Sequence, residues 1–327
     1  MIISRAPVRL SMGGGGTDLK SYYEKHEGFL MAVTINKFVY ILINKRFQKD
    51  IRLSYSETEI TDDIDNIKHN IFRECLKFLN IKNQIELVSV ADVPSNCGLG
   101  TSSSFTVALL NGLFAYKRNY TTLKELAESA CHIEIDILKE PIGKQDQYAS
   151  AFGGLNSYYF HKDGSVSVEP VDIKEEKLME LQNNILLFYL NINRSASKIL
   201  EKQNKKSING DSSTFHRLHK IKEIGLYTKK VFEKGNIDEF GDILHEHWLT
   251  KKGLSDGVSN SVIDEIYETA RTNGALGGKV VGAGGGGFLM VYCPKNKTKL
   301  IESLDKFGLR PMWFSFEYDG AKKIFSD

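Results

Sequence analysis

The sequence lacks the features that mark secreted and membrane proteins. No stretch approaches the roughly 20 apolar residues that a membrane-spanning helix needs, and the first residues contain no apolar run of signal-peptide length. Cysteine is scarce: four occur in 327 residues, with no C-x-x-C pair, which indicates neither a disulfide framework nor a zinc site. We therefore expect a cytoplasmic protein whose thiols are reduced and mostly buried.

Charge of either sign is not in excess. Lysine and arginine (43) nearly balance aspartate and glutamate (41), which gives a formal charge of +2. Proteins that bind nucleic acid usually carry a strongly basic surface, so this balance argues against such a partner. We expect small-molecule ligands, with no nucleic-acid or membrane partner.

The length indicates two packed domains. With 327 residues and 41% hydrophobic content, the chain exceeds the size at which a single core usually stops growing. The first half is rich in predicted strands, including residues 29–35 and 38–45. The second half is helical in its middle and ends with strands, the last at residues 311–318. This order predicts an α+β fold, with domains over residues 1–180 and 181–327.

A glycine-rich run in the first domain leads directly into a helix. Residues 97–104 read Cys-Gly-Leu-Gly-Thr-Ser-Ser-Ser, and a helical hydrophobic period covers residues 102–116. The free N–H groups and positive dipole end of such a helix can hold phosphate. The run is not a Walker A loop, because neither Gly-Lys pair of the chain is followed by Ser or Thr. Taken alone, it also fits an ordinary Ser/Thr helix cap after a turn.

Two other glycine runs occur, at residues 13–16 and 282–287. The second formally matches G-x-G-x-x-G, but the residues that follow it, Phe-Leu-Met-Val-Tyr, predict a strand. A dinucleotide-binding loop must open a helix at this point, so a Rossmann site is rejected. A hairpin turn and a close backbone approach to a ligand both stay open.

Two carboxylates follow the glycine-rich run. Glu134 shares the apolar face of a helix predicted over residues 123–139, which Pro141 ends. A buried carboxylate there needs a cation, either a neighbouring Lys or Arg or, beside phosphates, Mg²⁺. Asp146 lies in a Gly-Lys-Gln-Asp-Gln segment that can present it to a substrate hydroxyl, although a lone loop aspartate is often a turn or cap residue.

Two hydrolase patterns are absent. The segment His245-Glu246-His247 lacks the H-E-x-x-H spacing of metalloproteases, so we interpret it as a partly exposed helix face that Trp248 anchors to the core. No serine has the G-x-S-x-G context of a hydrolase elbow.

Four segments stand in an order typical of one enzyme family. They read Ala-Pro-x-Arg with a glycine-rich Thr-Asp, then Pro-x3-Gly-Leu-Gly-Thr-Ser-Ser, then Glu-x11-Asp, then Gly-Gly-Lys-x2-Gly-Ala-Gly-Gly-Gly-Gly. Together they resemble the GHMP kinases, which include galactokinase, homoserine kinase and mevalonate kinase. The resemblance implies an enzyme that uses ATP and Mg²⁺. It also implies an N-terminal domain like domain 2 of ribosomal protein S5 and a ferredoxin-like C-terminal α/β sandwich.

The resemblance also implies site residues. The ATP phosphate loop would consist of Gly98, Leu99, Gly100, Thr101, Ser102, Ser103 and Ser104. Asp146 would be the catalytic carboxylate, with Arg9 near the transferred phosphoryl group, and Ser102 and Glu134 would bind Mg²⁺. The substrate side would draw on several segments: Gly14, Gly15, Gly16, Thr17, Asp18, Lys144, Gln145, Arg194, Ser195, Gly284, Gly285 and Gly286.

Several pieces are similar to one subgroup, the heptose 7-phosphate kinases. These pieces are Gly-Gly-Gly-Gly-Thr-Asp, Gly-Lys-Gln-Asp-Gln, Asn-Arg-Ser-Ala-Ser and Gly-Ala-Leu-Gly-Gly-Lys-Val-Val-Gly. The implied reaction transfers the γ-phosphoryl group of ATP to the anomeric hydroxyl of D-glycero-D-manno-heptose 7-phosphate. The product would be a 1,7-bisphosphate for nucleotide-activated heptose synthesis.

The distal phosphate of such a substrate needs donors. The candidates are Arg194, Lys144, Lys252 and Ser195, and Arg194 is preferred because a guanidinium can bind phosphate through two parallel hydrogen bonds.

The family pattern is broken at three positions: Asn96 and Asn191 replace frequent glycines, and Thr101 replaces a frequent serine. Two other functions stay open: a kinase for another sugar such as fucose or galactose, and a non-catalytic sugar or ATP sensor on the same fold. The oligomeric state is also open, a homodimer included.

Overall fold

The computed structural model describes residues 1–192, 199–201, 204 and 211–327. In these ranges the strands are β1 Ile2–Gly14, β2 Gly28–Lys45, β3 Ile51–Ser54, β4 Thr58–Thr61, β5 Ile85–Ala91, β6 Leu155–Phe160, β7 Val166–Pro170, β8 Ile185–Tyr189, β9 Gly277–Val280, β10 Phe288–Tyr292, β11 Phe316–Glu317 and β12 Lys322–Ser326. The α-helices are α1 Lys20–His26, α2 Asn70–Phe78, α3 Thr101–Tyr116, α4 Leu123–Cys131, α5 Gln145–Phe152, α6 Glu175–Asn184, α7 Ser212–Glu233, α8 Phe240–Lys252, α9 Ser261–Thr272 and α10 Lys297–Asp305. A π-helix spans His132–Ile137, and 3₁₀ turns span Ile64–Asn66 and Ile237–Glu239.

Two β-sheets organise the molecule. The larger has the order β12-β1-β2-β5-β3-β4, with β6 and β11 also paired to β2 and β7 paired to β6. The smaller has the order β8-β10-β9. Helices pack on both sheets without alternating regularly with the strands, so the α+β fold class is confirmed.

Strand β2 separates the two largest hydrophobic cores. Leu30 and Ala32 face the core shared with α3 and α5, whereas Met31 and Val33 face the core shared with α7 and α8. Successive side chains of a strand point to opposite faces, so a strand covered on both faces is apolar at every position. A third core lies between the smaller sheet and helices α9 and α10.

The strand predictions were wrong at two places. The strands predicted at residues 29–35 and 38–45 are one continuous strand, β2, because the polar pair Asn36 and Lys37 forms an irregularity in its pairing with β1 and not a turn. The backbone N–H of Asn36 donates to the carbonyl of Ser315 at 2.9 Å. The strand predicted at residues 311–318 contracts to β11, and the chain then forms β12. Both of these strands pair with the larger sheet.

The helix predicted over residues 123–139 changes geometry at its midpoint. Thr122 and Glu125 form a capping box at the start of α4. After Cys131 the helix widens to π geometry, and the N–H of Leu138 donates to the carbonyl of Ile133, five residues earlier, at 3.0 Å. Such π segments are frequent at functional sites. Here the segment carries Glu134, which is 1% exposed.

Two expectations from composition can be compared with the structure. All four cysteines are free and buried, as predicted. Among the described residues, no helix combines the length and the apolar character needed to cross a bilayer.

Candidate active site

The glycine-rich run ends where helix α3 begins, as the sequence predicted. Gly100 is the N-cap residue and has φ 79°, a left-handed conformation that glycine adopts without strain. Glycine has no side chain to cap the helix, so the first N–H groups of α3 have no acceptor from the cap residue. The start of α3 is therefore suited to bind an anion.

The predicted phosphate-loop residues have two different positions. Gly98, Gly100 and the first three residues of α3 line a cavity of about 290 Å³. Ser104 lies beneath the loop, where its hydroxyl contacts the carbonyl of Pro7 at 3.0 Å and the hydroxyl of Ser150 at 2.7 Å. Leu99 is fully buried as well, and its carbonyl accepts from the N–H of Arg9 at 3.0 Å. These two residues support the loop from below.

Asp146 and Arg9 meet at the cavity wall. Arg9 is 2% exposed, and its Nε and Nη2 lie 2.8 and 2.7 Å from Asp146 Oδ1. Its Nη1 donates to the carbonyl of Gly98 at 2.6 Å. A Cβ atom built on Gly100 would lie 3.1 Å from Asp146 Cγ, so the carboxylate lies against the start of α3. The structure thus brings together the two residues predicted as catalytic and the loop predicted to hold phosphate.

Asp18 is a second buried carboxylate in the same cavity. It is 3% exposed, and its Oδ2 accepts from the backbone N–H of Gln145 at 3.1 Å. Burial, reinforced by the charge of Asp146, raises the pKa of Asp18 from 3.8 to about 6. Gly143 is packed so closely on Asp18 that a side chain there would clash with its carboxylate.

The residues around Asp18 have two different structural roles. Gly14, Gly15 and Gly16 line the cavity beside Asp18, and Gln145 lines it from α5. Thr17 does not, because its hydroxyl bonds to the carbonyl and the N–H of Phe29 and holds the turn against β2.

Glu134 lies where a metal ligand was predicted. Its Oε1 is 3.5 Å from Ser102 Oγ, and its Oε2 accepts from Gln147 Nε2 at 2.6 Å. Burial raises the pKa of Glu134 to about 7, although the bonds from Gln147 and Ser103 oppose the shift. Among the described residues, no Lys or Arg forms an ion pair with it, which disfavours the alternative of a structural salt bridge.

These donors fit Mg²⁺ better than a metal held entirely by protein. The described part of the chain contains no group of three or more His, Cys, Asp or Glu side chains placed to hold a metal. Mg²⁺ typically takes one or two protein oxygens and completes its shell with phosphates and water. One carboxylate and one hydroxyl beside a phosphate loop match that requirement.

The third glycine run is a hairpin, and it also supports the phosphate loop. It joins β9 to β10, which are antiparallel. A Cβ on Gly98 would lie 2.5 Å from the carbonyl oxygen of Val281, and one on Gly282 would lie 2.6 Å from Gly98 Cα. Gly287 is equally tight against the carbonyl of Cys97. The hairpin interpretation of this run is therefore confirmed, and the turn packs its backbone directly against the predicted phosphate loop.

The three glycines of this hairpin that were predicted to bind substrate pack against other segments of the chain. Gly284 and Gly285 pack on Val258, and Gly286 packs on Ile192. Gly282, which was not predicted, lines the cavity.

The two asparagines that replace family glycines have left-handed backbones. Asn96 has φ 59° and Asn191 has φ 50°. Asparagine is one of the few residues with a side chain that adopts this region readily, so both replacements preserve the backbone shape that glycine allows.

The lysines proposed for a distal phosphate have other partners. Lys144 donates to the carbonyl of Gly164, and Lys252 pairs with Asp264 at 2.6 Å. Neither is among the described residues that line the cavity. Arg194 and Ser195 lie outside the described residues.

Four polar residues of the site were not found from the sequence, and three of them, Gln147, His247 and Lys279, are buried. Gln147 orients Glu134, and His247, Lys251 and Lys279 line the cavity from α8 and β9. The interpretation of residues 245–247 as a partly exposed face is wrong for His247, which is 2% exposed because it shares the core side of α8 with Trp248. A lysine between Gly-Gly and Val-Val in a buried strand was the available signal for Lys279.

Three features meet in this cavity: a helix start suited to bind phosphate, Asp146 paired with Arg9, and Glu134, which forms no ion pair with the described residues. This is the geometry of a phosphotransfer enzyme. Comparison with known proteins agrees. The model of the GHMP kinases N terminal domain matches residues 69–154, and that of the GHMP kinases C terminal matches residues 228–308. The chain is 33% identical, over 98% of both chains, to the D-glycero-alpha-D-manno-heptose 7-phosphate kinase of Campylobacter jejuni.

Solved structures give the same result. A D-glycero-D-manno-heptose 1-phosphate kinase from Bacteroides thetaiotaomicron superposes with a TM-score of 0.81 at 27% identity, over 100% of both chains. The galactokinase of Lactococcus lactis, solved with galactose, has a TM-score of 0.77 at 18% identity, covers 99% of this chain and 95% of its own, and shows the fold alone. The chain belongs to the GHMP kinase family and is a small-molecule kinase.

Proposed function

We propose that the chain transfers the γ-phosphoryl group of ATP to the anomeric C1 hydroxyl of D-glycero-D-manno-heptose 7-phosphate. Full-length similarity to a heptose 7-phosphate kinase supports this acceptor. The structural relative is named for a heptose 1-phosphate, so both relatives act on phosphorylated heptoses but differ in the position named. The proposal takes the position named for the relative with the higher sequence identity.

The observation that carries the proposal is the contact between Asp146, Arg9 and the start of α3. Phosphoryl transfer has a loose transition state, so positioning and charge neutralisation contribute more than strong activation of the nucleophile. Asp146 would orient the sugar hydroxyl and accept its proton. Arg9 fixes Asp146 Oδ1 and brings positive charge next to the phosphate loop.

Asp18 and the glycines beside it would hold the sugar. A buried carboxylate oxygen is a strong acceptor for hydroxyl groups, and the glycine backbone leaves room for a ring to approach. Gln145 fixes Asp18 through its N–H and lines the cavity with its own side chain.

The terminal phosphates of ATP would lie on the N–H groups at the start of α3. Ser102 and Glu134 would hold Mg²⁺, which when bound neutralises phosphate charge. Gln147 keeps Glu134 turned towards the loop through the bond to Oε2.

A coupled assay of ADP release tests the proposal. The acceptors are heptose 7-phosphate, heptose 1-phosphate, galactose, fucose, mevalonate and homoserine, each with ATP and Mg²⁺, and phosphorus NMR identifies the esterified position. We expect the highest kcat/KM for heptose 7-phosphate and a new anomeric phosphate in the product. A higher kcat/KM for any other acceptor refutes the proposed substrate.

A kinase for an unphosphorylated sugar is the second candidate. The bifunctional fucokinase/GDP-fucose pyrophosphorylase of Arabidopsis thaliana is 24% identical over 87% of this chain and 29% of its own length. The Pyrococcus furiosus galactokinase is 24% identical over 96% of both chains. Fucose and galactose in the same panel decide between the two.

A further inference from the structure

Three basic side chains form a compact group on the cavity wall contributed by α8 and β9. We name His247, Lys251 and Lys279 the basic cluster. His247 and Lys251 are one helical turn apart, and Lys279 Nζ lies 3.2 Å from His247 Nδ1. Lys251 Nζ donates to the carbonyl of Val280 at 3.0 Å and to that of Gly282.

The basic cluster has no acidic partner. No carboxylate of the described residues forms an ion pair with Lys251 or Lys279. The remaining stretches, residues 193–198, 202–203 and 205–210, contain no Asp or Glu in the sequence. Lys279 is 1% exposed, and within the described ranges its side-chain partner is another base, His247.

This arrangement is unfavourable without a ligand. A buried ammonium group without a counter-charge costs several kcal/mol in typical proteins, and Arg9 adds a further positive charge nearby. Burial lowers the pKa of all three groups, that of Lys251 to about 7. Nearby positive charges add to each shift: both lysines act on His247, Lys251 acts on Lys279, and Arg9 acts on both lysines. An anion in the cavity would supply the missing counter-charge and offset the repulsion between the positive groups.

The phosphates of ATP already have other candidate donors. These are the N–H groups at the start of α3 and the guanidinium of Arg9, while Ser102 and Glu134 would contact the phosphates through Mg²⁺. The basic cluster lines the same cavity from α8 and β9, which belong to the C-terminal half of the chain. A substrate that is itself phosphorylated brings a second dianion, and an unphosphorylated sugar does not.

We propose that His247, Lys251 and Lys279 form the subsite for the phosphate group of the sugar substrate that is not transferred. The inference rests on the proposed function, because it requires a phosphorylated acceptor. Lysine binds phosphate as a compact point charge, and the two ammonium groups together can balance one phosphate dianion. The subsite would favour phosphorylated over free sugars.

The test replaces each lysine by methionine, which keeps the length and removes the charge. For Lys279→Met and Lys251→Met we expect KM for heptose 7-phosphate to rise about 10- to 100-fold, as expected for loss of one charged hydrogen bond of about 1.5–3 kcal/mol. KM for ATP and for unphosphorylated heptose should change less than threefold. The control is Lys220→Met, which removes a surface lysine paired with Glu246 at 3.0 Å and should change none of these constants.

Calorimetry of heptose 7-phosphate and unphosphorylated heptose binding, without ATP, separates this inference from the proposed function. If wild-type protein binds the sugar phosphate more tightly than the free sugar and both variants lose that difference, the subsite is supported even when turnover is absent. A turnover failure alone would then refute the proposed reaction. Equal losses for both sugars, or a rise confined to KM for ATP, would overturn the subsite. Thermal unfolding confirms that the variants are folded.

Discussion

Replacing Asp18 by asparagine should stabilise the ligand-free protein at neutral pH. The ionised carboxylate is buried beside Asp146, and the raised pKa, from 3.8 to about 6, measures how strongly the fold disfavours that charge. One pKa unit corresponds to about 1.4 kcal/mol, so the charge costs roughly 3 kcal/mol of folding free energy well above pH 6. Asparagine keeps an oxygen that can accept from the N–H of Gln145, so the main hydrogen bond survives.

The sign of the pH dependence follows from proton binding. The folded-state pKa of Asp18 lies above its unfolded value, so between about pH 4 and pH 6 the folded state binds more protons than the unfolded state. The wild-type free energy of unfolding therefore decreases as pH rises through that window. The Asp18→Asn variant has no such loss.

Denaturant unfolding from pH 4 to pH 8, without ligands, provides the assay. We expect Asp18→Asn to exceed wild type by about 1–3 kcal/mol at pH 8, with the difference shrinking towards zero near pH 4. Asp62→Asn, which changes an exposed aspartate, is the control and should show no comparable trend. An Asp18→Asn difference that is the same at both ends of the range would refute the reasoning.

Three further predictions concern the reacting groups and the phosphate loop. Asp146→Asn should lower kcat by about two to four orders of magnitude with an unchanged circular dichroism spectrum, and wild-type turnover would remove this residue from the mechanism. Glu134→Gln should raise the Mg²⁺ concentration for half-maximal activity by about tenfold or more, and an unchanged Mg²⁺ titration would contradict a role as metal ligand. Gly98→Ala should lower both Tm and ATP affinity, because its Cβ would meet the carbonyl of Val281 at 2.5 Å. Gly308→Ala has a similar positive φ of 72° but no atom within 4 Å, so an equal effect there would attribute the loss to backbone strain alone.

Local signals predicted the parts of the site that lie within one chain segment. A glycine run followed by a helical period predicted the start of α3, and the family order added Asp146, Glu134 and Arg9. The asparagines at positions 96 and 191 kept the left-handed backbone of the glycines they replace. Short-range physics decides the helix start and the left-handed asparagines, whereas the carboxylates and Arg9 followed only from the family resemblance.

The features that were missed depend on packing between distant segments. Nothing local distinguishes the side of α8 that carries His247 from a partly exposed face, because the groups that bury it come from β9. Asn36 and Lys37 resembled a turn, but pairing with β1 extends the strand through them. The change to π geometry after Cys131 also leaves no signal in the hydrophobic pattern of the sequence. In each case tertiary contacts overrode the local preference.

Gly282 and Gly287 pack closely on the predicted phosphate loop, so we expect nucleotide binding to depend on both halves of the chain. Gly98 and Cys97 pack against backbone atoms of the 281–287 segment, which is synthesised much later. An N-terminal fragment that contained every nucleotide-contacting residue would therefore lack the surface that shapes them. We therefore expect ATP affinity to depend on the folding of the C-terminal half, and fragments exchanged between relatives to regain it only where both glycine segments fit each other.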